Sequence, residues 1–333
     1  MTEKTLSPID AVIAWVDGND PAHAEKRRRY AAEDGVRHKT SQAATRFDSQ
    51  GEIYVCVASI LKFLPFIRTI WIVTDGQRPP FIDNFATSGH CSADKIRIVD
   101  HRDILGDHPE ALPTFNSLTI EAALWRIPGL ADRHIYFNDD MFVKSSLPPS
   151  YFFDEDGHPK VRGRILSMRS TGGIDWLKHD LLRKLRPNHW GRASFRTAQE
   201  NGALAVRNQR TFIHQEHWPH PMRTTTLARY YEENPEEFAK QVRPRFRVRE
   251  QHWPISLHNH LTTVTAYEPP RVAYAKPGRH VDTMLSQLLA EGYDFGCMQS
   301  LDEIDPDKTA RLFSGLVDIY QPYLDMRMLG AGA

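Results

Sequence analysis

Short apolar runs that end in acidic or amide residues recur along the first half of the chain. Residues 10–17 form one such run, and residues 69–75 and 135–137 repeat the pattern, the last one directly before Asn138. Continuous apolar runs of this length are typical of strands that are buried on both faces of a parallel sheet. Together with residues 96–99, they predict four strands.

Stretches with helical spacing lie between these runs. Apolar residues recur at intervals of three and four over residues 52–64, and Pro21 at a first helical position predicts a basic helix over residues 22–30. Residues 117–125 predict another helix, with Ser117 as its N-cap. Because strand and helix alternate, we expect a doubly wound α/β sheet.

The carboxyl ends of the predicted strands carry most of the polar side chains in this half. Acids or amides follow Val16, Thr74 and Phe137. In open α/β sheets, ligands bind beyond the carboxyl ends of the strands. We therefore expect these polar residues to line one edge of the sheet and to face a ligand.

The chain changes in character after about residue 150, where arginine, histidine and tryptophan become frequent. Periodicity predicts helices over residues 176–185, 227–233 and 235–242, and a helix or helix pair over 307–324. We expect an α/β core over residues 1–150. A mainly helical, His- and Arg-rich part over residues 151–330 is expected to complete the active site in one compact unit.

The charge balance is neutral, with 42 basic and 42 acidic residues among 333. Neutrality removes the bulk electrostatic basis for binding nucleic acid or an anionic membrane. Three scattered cysteines form no zinc-type pair and indicate a reducing compartment. Because the sequence has no apolar signal core and no 18-residue apolar run, we expect a cytoplasmic protein that visits a membrane without spanning it.

The tripeptide Asn138-Asp139-Asp140 follows a predicted strand directly. Adjacent carboxylates at a strand end suit a hard divalent cation, Mg²⁺ or Mn²⁺, beside a diphosphate. The cation would neutralise charge that gathers on a leaving nucleotide. The alternative is an ordinary Asx turn that caps a loop.

Two segments near the N-terminus could contact a nucleotide or a phosphate. Asp17 and Asn19 lie in a tight turn, where Asp17 could accept a hydrogen bond from a base or a ribose. Arg46 could clamp phosphate oxygens, and Asp48 could accept a proton. The alternatives are helix capping by Asp20 in the first segment, and a surface ion pair with an N-cap in the second.

Histidines cluster around His217 in the second half of the chain. His214, Glu216 and His220 complete a set of four titratable residues within seven positions, interrupted by prolines that break any zinc-binding helix. The cluster favours acid–base or phosphate-contact roles over a zinc site.

Arginines alternate with other residues over positions 243–249. In an extended conformation they would share one face and could bind a diphosphate or an anionic polymer. The alternative is a solvated, charged edge strand that protects against aggregation.

Taken in order, these segments resemble the Stealth family of sugar-1-phosphate transferases. That family includes bacterial capsular polysaccharide phosphotransferases and the catalytic core of the animal enzyme that tags lysosomal glycoproteins. The segments that carry the resemblance are residues 9–21, 46–52, 59–60, 72–77, 115–117, 120–121, 126–130, 136–142, 217–220, 235–238 and 245–247. Residues 297–302 depart from the family pattern, so the resemblance assigns them no role.

The resemblance implies a GT-A-like, Rossmann-like core that binds a nucleotide-sugar, with a mainly helical C-terminal addition. It implies transfer of a hexose- or N-acetylhexosamine-1-phosphate from a UDP-sugar such as UDP-GlcNAc to the hydroxyl of an oligosaccharide or polysaccharide. UMP would leave, and a phosphodiester of capsular polysaccharide or exopolysaccharide would form. The tripeptide at residues 138–140 adds the expectation of Mg²⁺ or Mn²⁺, and the neutral charge balance adds that of no nucleic-acid partner. We also expect peripheral association with a capsule assembly complex at the inner face of the cell membrane.

The resemblance implies roles for individual residues as well. His217 is the candidate base for the acceptor hydroxyl, with Asp48 as its rival. The arginines expected to stabilise the transferring phosphate are Arg46, Arg245 and Arg247, and the acids expected to hold the cation are Asp139 and Asp140. The residues expected to bind substrates are Asp17, Asn19, Asp75, Asn116, Ser117, Glu121, Asn138 and His220.

Two other functions are compatible with the sequence. A glycosyltransferase with the same core would release UDP instead of UMP. A catalytically inactive carbohydrate-binding protein could stack Trp190, Trp218 or Trp253 on sugar rings. The released nucleotide separates the first alternative from phosphate transfer, and turnover itself separates the second.

Overall fold

The computed structural model of the protein describes residues 7–34, 49–168, 194–206 and 210–330. The strands are β1 (Ile9–Ala14), β2 (Ile67–Thr74), β3 (Ile96–Asp100), β4 (Arg133–Asn138), β5 (Met141–Val143), β6 (Arg164–Ser167), β7 (Thr211–His214), β8 (His220–Arg223), β9 (Val272–Ala275) and β10 (Phe295–Met298). The helices are α1 (Pro21–Glu33), α2 (Glu52–Phe63), α3 (Asn84–Thr87), α4 (His101–Leu105), α5 (Ser117–Ala123), α6 (Pro149–Phe152), α7 (Phe195–Ala205), α8 (Thr224–Glu233), α9 (Pro235–Val242), α10 (Pro254–Thr262), α11 (Val281–Leu289) and α12 (Pro306–Tyr320).

The first four strands form the parallel part of a five-stranded sheet in the order β3-β2-β1-β4-β8. β1 lies between β2 and β4, so Val12 has Trp71 on one side and Tyr136 on the other. β8 completes the sheet antiparallel to β4. The order 3-2-1-4 is that of a doubly wound fold. The predicted α/β fold with a Rossmann-like core is therefore confirmed.

Alternate side chains along the strands enter two separate hydrophobic cores. Ile13 and Ile72 belong to the core that also contains the buried residues of α2 and α12. Val12 and Val73 belong to the core that also contains the buried residues of α5 and α10. Because neighbouring strand residues point to opposite faces, both faces of the sheet are covered. This burial explains why the strands read as continuous apolar runs.

Strands from the second half of the chain join the sheets of the first half. β8 lies at one edge of the main sheet, while β10 pairs antiparallel with β5 and parallel with β9. The pairing with β5 brings residues 295–298 next to the turn that follows β4. The division of the chain near residue 150 stays a prediction.

Some local predictions differ from the structure. Ser117 is not the N-cap of α5, because the side chain of Asn116 accepts the hydrogen bond from the Leu118 N–H at 3.2 Å. Residues 243–249 form neither an extended arginine row nor an edge strand, since the chain bends directly after α9. The last long helix ends at Tyr320 and is capped at its start by Asp305.

Four predictions cannot be placed in the fold. The helix expected over residues 176–185 lies outside the described residues, as do Arg46, Asp48 and Trp190. Across the parts of the chain that the structure describes, the longest and most apolar helices still fall short of what crossing a membrane requires.

Candidate active site

A cleft with a volume of about 390 Å³ opens at the carboxyl ends of β1 and β4. Its walls are completed by the start of α5, the segment after β10, and the loop between β7 and β8. The polar side chains in its lining are His23, Glu52, Thr114, Asn116, Ser117, Asn138, Asp139, Asp140, His217, Arg247, Gln299 and Ser300. The cleft therefore lies at the edge of the sheet where the strand ends predict a ligand site.

Asp139 and Asp140 occupy the tight turn between β4 and β5. Burial and the neighbouring charge of Asp140 raise the pKa of Asp139 well above its ordinary value. Burial also raises the pKa of Asp140, although His217 and a hydrogen bond from Gln299 oppose that rise. Two carboxylates held this close favour the binding of a proton or a cation.

The segment at β10 holds Asp140 in place. Gln299 Nε2 lies 3.4 Å from Asp140 Oδ2, and the Cys297 thiol lies 3.6 Å from the same oxygen. The Met298 N–H donates to the Asp140 carbonyl at 3.0 Å. Within the described chain, Asp140 Oδ1 is buried and has no hydrogen-bond partner. Oδ2 of Asp140 is thus held by its neighbours, and Oδ1 is available to a ligand.

His217 reaches the cleft from a loop, and a tyrosine fixes its backbone. The Tyr274 hydroxyl accepts a hydrogen bond from the His217 N–H at 2.7 Å and donates to the His217 carbonyl at 3.0 Å. The imidazole packs against Phe195, with 5.3 Å between the ring centroids. Since the ring lines the same cleft as Asp140, a proton taken up by His217 would lie near a carboxylate.

Of the three arginines expected at the phosphate, the two that lie within the described residues go to different places. Arg247 lines the cleft and donates from Nη2 to the Ser117 hydroxyl. Arg245 turns away, with Nη1 at 3.8 Å from Asp34 and its guanidinium 4.9 Å from the centre of the Tyr30 ring. The structure therefore brings Arg247 to the other polar groups of the cleft and does not bring Arg245.

Glu121 lies behind the wall of the cleft. It is only 4% exposed, and burial raises its pKa to about 7, against the opposing charge of Arg247. Its Oε1 is 3.3 Å from the Tyr136 hydroxyl, which is 2.7 Å from Asn138 Oδ1. Asn138 lines the cleft, so Glu121 is connected to it through Tyr136 and does not itself appear in its lining.

Asn116 ties the start of α5 to the segment that carries Arg247. Its side-chain Nδ2 donates to the Pro244 carbonyl at 3.0 Å and to Gln251 Oε1 at 2.9 Å. Its side-chain Oδ1 accepts from the Leu118 N–H at 3.2 Å. Because all these contacts are internal, Asn116 positions the cleft wall.

Asp17, Asn19 and Asp75 follow the ends of β1 and β2 but do not line the cleft. The Asp17 carboxylate accepts from the Asn19 N–H at 2.9 Å. Asp75 accepts from Lys26 Nζ at 2.7 Å and lies 3.3 Å from His23 Nδ1. Burial works against ionisation of Asp75, but these contacts outweigh it and lower its pKa. Both carboxylates thus brace the loop that leads into α1, and their expected contact with a nucleotide stays a prediction.

His220 does not lie at the cleft, although it is close to His217 in sequence. It is 1% exposed at the start of β8, and its ring meets Trp253 edge-on at 5.1 Å. Burial lowers its pKa to about 3, so the ring stays neutral at physiological pH. Its position in the antiparallel edge of the sheet indicates a packing role.

Sequence reasoning assigned no role to several residues of the lining. Gln299 and Ser300 fall in the segment that departs from the family pattern, and Ser300 has a left-handed φ of 53°. Glu52, at the first residue of α2, raises the pKa of Asp139 by its charge. A signal was present for the C-terminal segment, because an apolar run followed by polar residues repeats the pattern of the other strand ends.

The donor atoms of the cleft fit a divalent cation in part. Within the described residues, no three His, Cys, Asp or Glu side chains form a preformed metal site. Mg²⁺, however, is usually bound by one or two carboxylates and completes its shell with water and substrate phosphates. Asp139 and Asp140 supply two such carboxylates, and Asp140 Oδ1 lacks a partner in the described chain. The pair therefore suits a cation that binds together with a phosphate.

Two family models match the chain. Residues 7–35 match Stealth protein CR1, conserved region 1, and residues 46–161 match Stealth protein CR2, conserved region 2. The matched regions contain β1, α2, β2 and β4, and with them the Asp139–Asp140 turn.

Curated relatives align over nearly the whole chain or over about half of it. An exopolysaccharide phosphotransferase of Streptomyces coelicolor is 31% identical over 342 residues, covering 97% of this chain and 33% of that protein. A second one from the same organism is 30% identical over 333 residues, covering 97% and 52%. A capsular polysaccharide phosphotransferase of Haemophilus influenzae is 42% identical over 153 residues, covering 46% and 40%. The chain thus spans between a third and about half of these relatives.

Two solved structures that match the chain at low similarity are named glycosyltransferases. A WbbM bifunctional glycosyltransferase has a TM-score of 0.42 and 12% identity, covering 96% of this chain and 52% of that one. Mouse xyloside xylosyltransferase 1 has a TM-score of 0.39 and 11% identity, covering 87% and 97%.

Proposed function

Because this chain belongs to the Stealth protein family, we propose that it transfers a hexose- or N-acetylhexosamine-1-phosphate from a nucleotide-sugar to a carbohydrate hydroxyl. The relatives are named capsular polysaccharide and exopolysaccharide phosphotransferases, which supports a phosphodiester-containing surface polysaccharide as the product. The observation that carries the proposal is the meeting of His217, Arg247 and the Asp139–Asp140 pair in one cleft at the strand ends.

The proposed reaction moves one phosphoryl group. The oxygen of the acceptor hydroxyl attacks the β-phosphorus of the nucleotide-sugar, and the bond from that phosphorus to the bridging oxygen breaks. The nucleoside monophosphate, UMP for a UDP-sugar, leaves with the bond electrons. The anomeric C–O bond stays intact, and the hydroxyl proton must pass to a base.

His217 is the residue that we propose as this base. Its imidazole can accept the hydroxyl proton, and the nearby carboxylate of Asp140 stabilises the resulting charge. The Tyr274 hydroxyl holds the backbone on both sides of the ring, which keeps the base oriented. Asp48 remains the rival base and lies outside the described residues.

Arg247 is the described cation best placed to stabilise the transferring phosphate. Its guanidinium lies in the cleft and is oriented by Ser117. In phosphoryl transfer, positioning and charge stabilisation supply most of the rate enhancement. Arg46 could add a second guanidinium from outside the described residues, whereas Arg245 would first have to leave Asp34 and Tyr30.

We further propose that Asp139 and Asp140 hold Mg²⁺ or Mn²⁺. Such an ion supplies positive charge that neutralises the leaving nucleotide. The two carboxylates lie at a strand end. Asp140 Oδ1 has no hydrogen-bond partner among the described residues, which supports its role as a ligand of the ion. The proposed partners are a UDP-sugar and a glycan acceptor. A place at the cytoplasmic face of the membrane, next to a capsule assembly complex, would give access to both.

The test is a product assay followed by phosphorus NMR. The purified chain is incubated with a panel of UDP- and other nucleotide-sugars, a carbohydrate acceptor, and either Mg²⁺ or EDTA. We expect a nucleoside monophosphate and a new phosphodiester resonance that EDTA abolishes. Release of UDP without a phosphodiester would make the protein a glycosyltransferase. Binding without turnover across the panel would favour an inactive carbohydrate-binding protein.

A further inference from the structure

A hydrogen-bonded chain of three side chains runs from behind one wall of the cleft to the cleft itself. Glu121 is 4% exposed and Tyr136 is 1% exposed, and neither lines the cleft. The Tyr136 hydroxyl lies 2.7 Å from Asn138 Oδ1 and 3.3 Å from Glu121 Oε1. Asn138, the third member, is the only one of the three that reaches the cleft.

The hydroxyl of Tyr136 has one hydrogen and two oxygen neighbours. The shorter contact, to Asn138, takes that hydrogen. Burial and the neighbouring Glu121 raise the pKa of Tyr136 well above its ordinary value, so the hydroxyl keeps its proton. Glu121, with its pKa raised to about 7 by burial, can donate its own proton to the Tyr136 oxygen near neutral pH. The hydrogen bonds then run in one direction, towards Asn138.

This direction decides what Asn138 offers to a ligand. A side-chain amide has an oxygen that accepts and an NH₂ group that donates. The oxygen is taken up by Tyr136, and no described residue accepts a hydrogen bond from Asn138 Nδ2. Asn138 therefore presents two N–H groups to the cleft. These can bind oxygen atoms of a ligand but cannot coordinate a cation.

The charges around the cleft indicate why an N–H donor at Asn138 would help to bind a phosphate. Asp139 and Asp140 follow Asn138 directly and would repel a phosphate in the absence of a cation or of hydrogen-bond donors. Arg247 supplies one donor group, and its charge also acts on Glu121. Glu121 thus interacts with both groups that could donate to a phosphate, with Asn138 through Tyr136 and with Arg247 through its charge.

We propose that Tyr136, supported by Glu121, is a positioning residue that turns the Asn138 amide so that its N–H groups bind the diphosphate oxygens of the nucleotide-sugar. The inference rests on the proposed function, because it takes a nucleotide diphosphate as the ligand. Tyr136 acts through Asn138 and does not touch the ligand itself.

A double-mutant cycle tests this directly. Tyr136→Phe, Asn138→Ala and the double variant are compared by UDP binding in calorimetry and by KM and kcat for UDP-GlcNAc or whichever nucleotide-sugar is turned over. We expect Tyr136→Phe to weaken UDP binding and raise KM by about fivefold, the effect of one hydrogen bond. In the Asn138→Ala background the same substitution should change binding by less than about twofold, because its target is gone.

Tyr320→Phe is the matched control. It also removes one buried hydroxyl, which donates to the Val143 carbonyl at 2.7 Å, and Tyr320 does not line the cleft. We expect it to lower thermal stability about as much as Tyr136→Phe while leaving UDP binding unchanged. Asn138→Asp adds a further arm, since replacing the NH₂ donor by a carboxylate should weaken UDP binding more than Asn138→Ala does.

The outcomes separate this inference from the proposed function. A Tyr136→Phe effect of equal size in the Asn138→Ala background, or no effect in the native background, overturns the inference even if the phosphodiester forms. Coupling in UDP binding without any phosphodiester product supports the inference and overturns the proposed function. A native protein that binds no UDP contradicts both.

Discussion

His217 shows how a single residue can be placed for catalysis without a regular element beneath it. It lies between β7 and β8, and its backbone N–H and carbonyl are both bound by the Tyr274 hydroxyl. Phe195 supports the ring from one side. His217 also lies close enough to Asp140, on a different loop, to oppose the rise that burial causes in the pKa of that carboxyl. The residue is therefore held by tertiary contacts from three separate parts of the chain.

His217→Ala is expected to lower kcat by a factor of about 10² to 10⁴, the usual contribution of a general base. UDP affinity should change by less than about twofold, because the base acts on the acceptor. The measurement is steady-state release of UMP combined with calorimetry. His158→Ala is the control, since His158 is an exposed histidine whose ring faces Asp154. Full activity in His217→Ala would remove it as the base and leave Asp48.

At the scale of elements, β10 is the strand on which the half of the cleft around Asp139 and Asp140 depends. It pairs with β5 directly after the Asp139–Asp140 turn, and the residues that follow it hold the Asp140 side chain. Gly296 sits in this strand against the ring of Phe142, and a Cβ at that position would collide with the ring. Phe142 is fully buried, so it cannot move aside easily.

Gly296→Ala is therefore expected to destabilise the protein by about 1 to 3 kcal/mol, the usual cost of overpacking a core. Because β10 positions Asp140, the Mg²⁺ concentration needed for half-maximal activity should rise as well. Thermal unfolding and a Mg²⁺ titration measure the two effects. Adding Phe142→Leu should restore part of the stability, since the smaller side chain leaves room. Unchanged stability in Gly296→Ala would show that the strand adapts.

Several histidines in the described part of the chain are buried and neutral. Burial lowers the pKa of these side chains to about 4, or to about 3 for His220, and they are His101, His134, His220, His252, His258 and His260. In the unfolded chain the same groups titrate near 6.5. Their folded-state pKa is depressed, so the unfolded state takes up protons first as the pH falls. Stability is then unaffected above about pH 7 and decreases from about pH 6.5 towards pH 4.

We expect the melting temperature to fall by roughly 10 °C between pH 7.5 and pH 5.5. Each buried histidine lowers the free energy of unfolding by up to about 1.4 kcal/mol per pH unit in this window. The shift in melting temperature is the summed loss divided by the unfolding entropy, which is large for a protein of this size. Scanning calorimetry at the two pH values measures the change. His134→Asn should reduce the difference, while exposed His158→Asn should not. Equal melting temperatures at both pH values would contradict this account.

The parts of the protein that could be predicted from sequence are those that depend on local patterns. Continuous apolar runs located β1 to β4 within a few residues, because strands buried on both faces must be apolar throughout. The strand-end rule then placed Asn138, Asp139 and Asp140 at the cleft. The helices α8 and α9 also lie where helical spacing predicts them, because that spacing reports one buried face.

Only the tertiary structure decided which of the candidate residues meet. Arg245 and Arg247 are two positions apart, yet a bend after α9 sends one to Asp34 and the other into the cleft. His217 and His220 separate in the same way, because β8 begins at His220 and buries it in the sheet. These placements depend on contacts between residues that are far apart in sequence, which local sequence patterns do not report.

The same reason explains Gln299, which sequence reasoning left without a role. It reaches Asp140 across a separation of 159 residues, through the pairing of β10 with β5. The residue types and the strand ends were determined by the sequence itself, since burial and turn chemistry act locally. The composition of the cleft was decided by long-range strand pairing, which brings together residues whose sequence neighbours say nothing about each other.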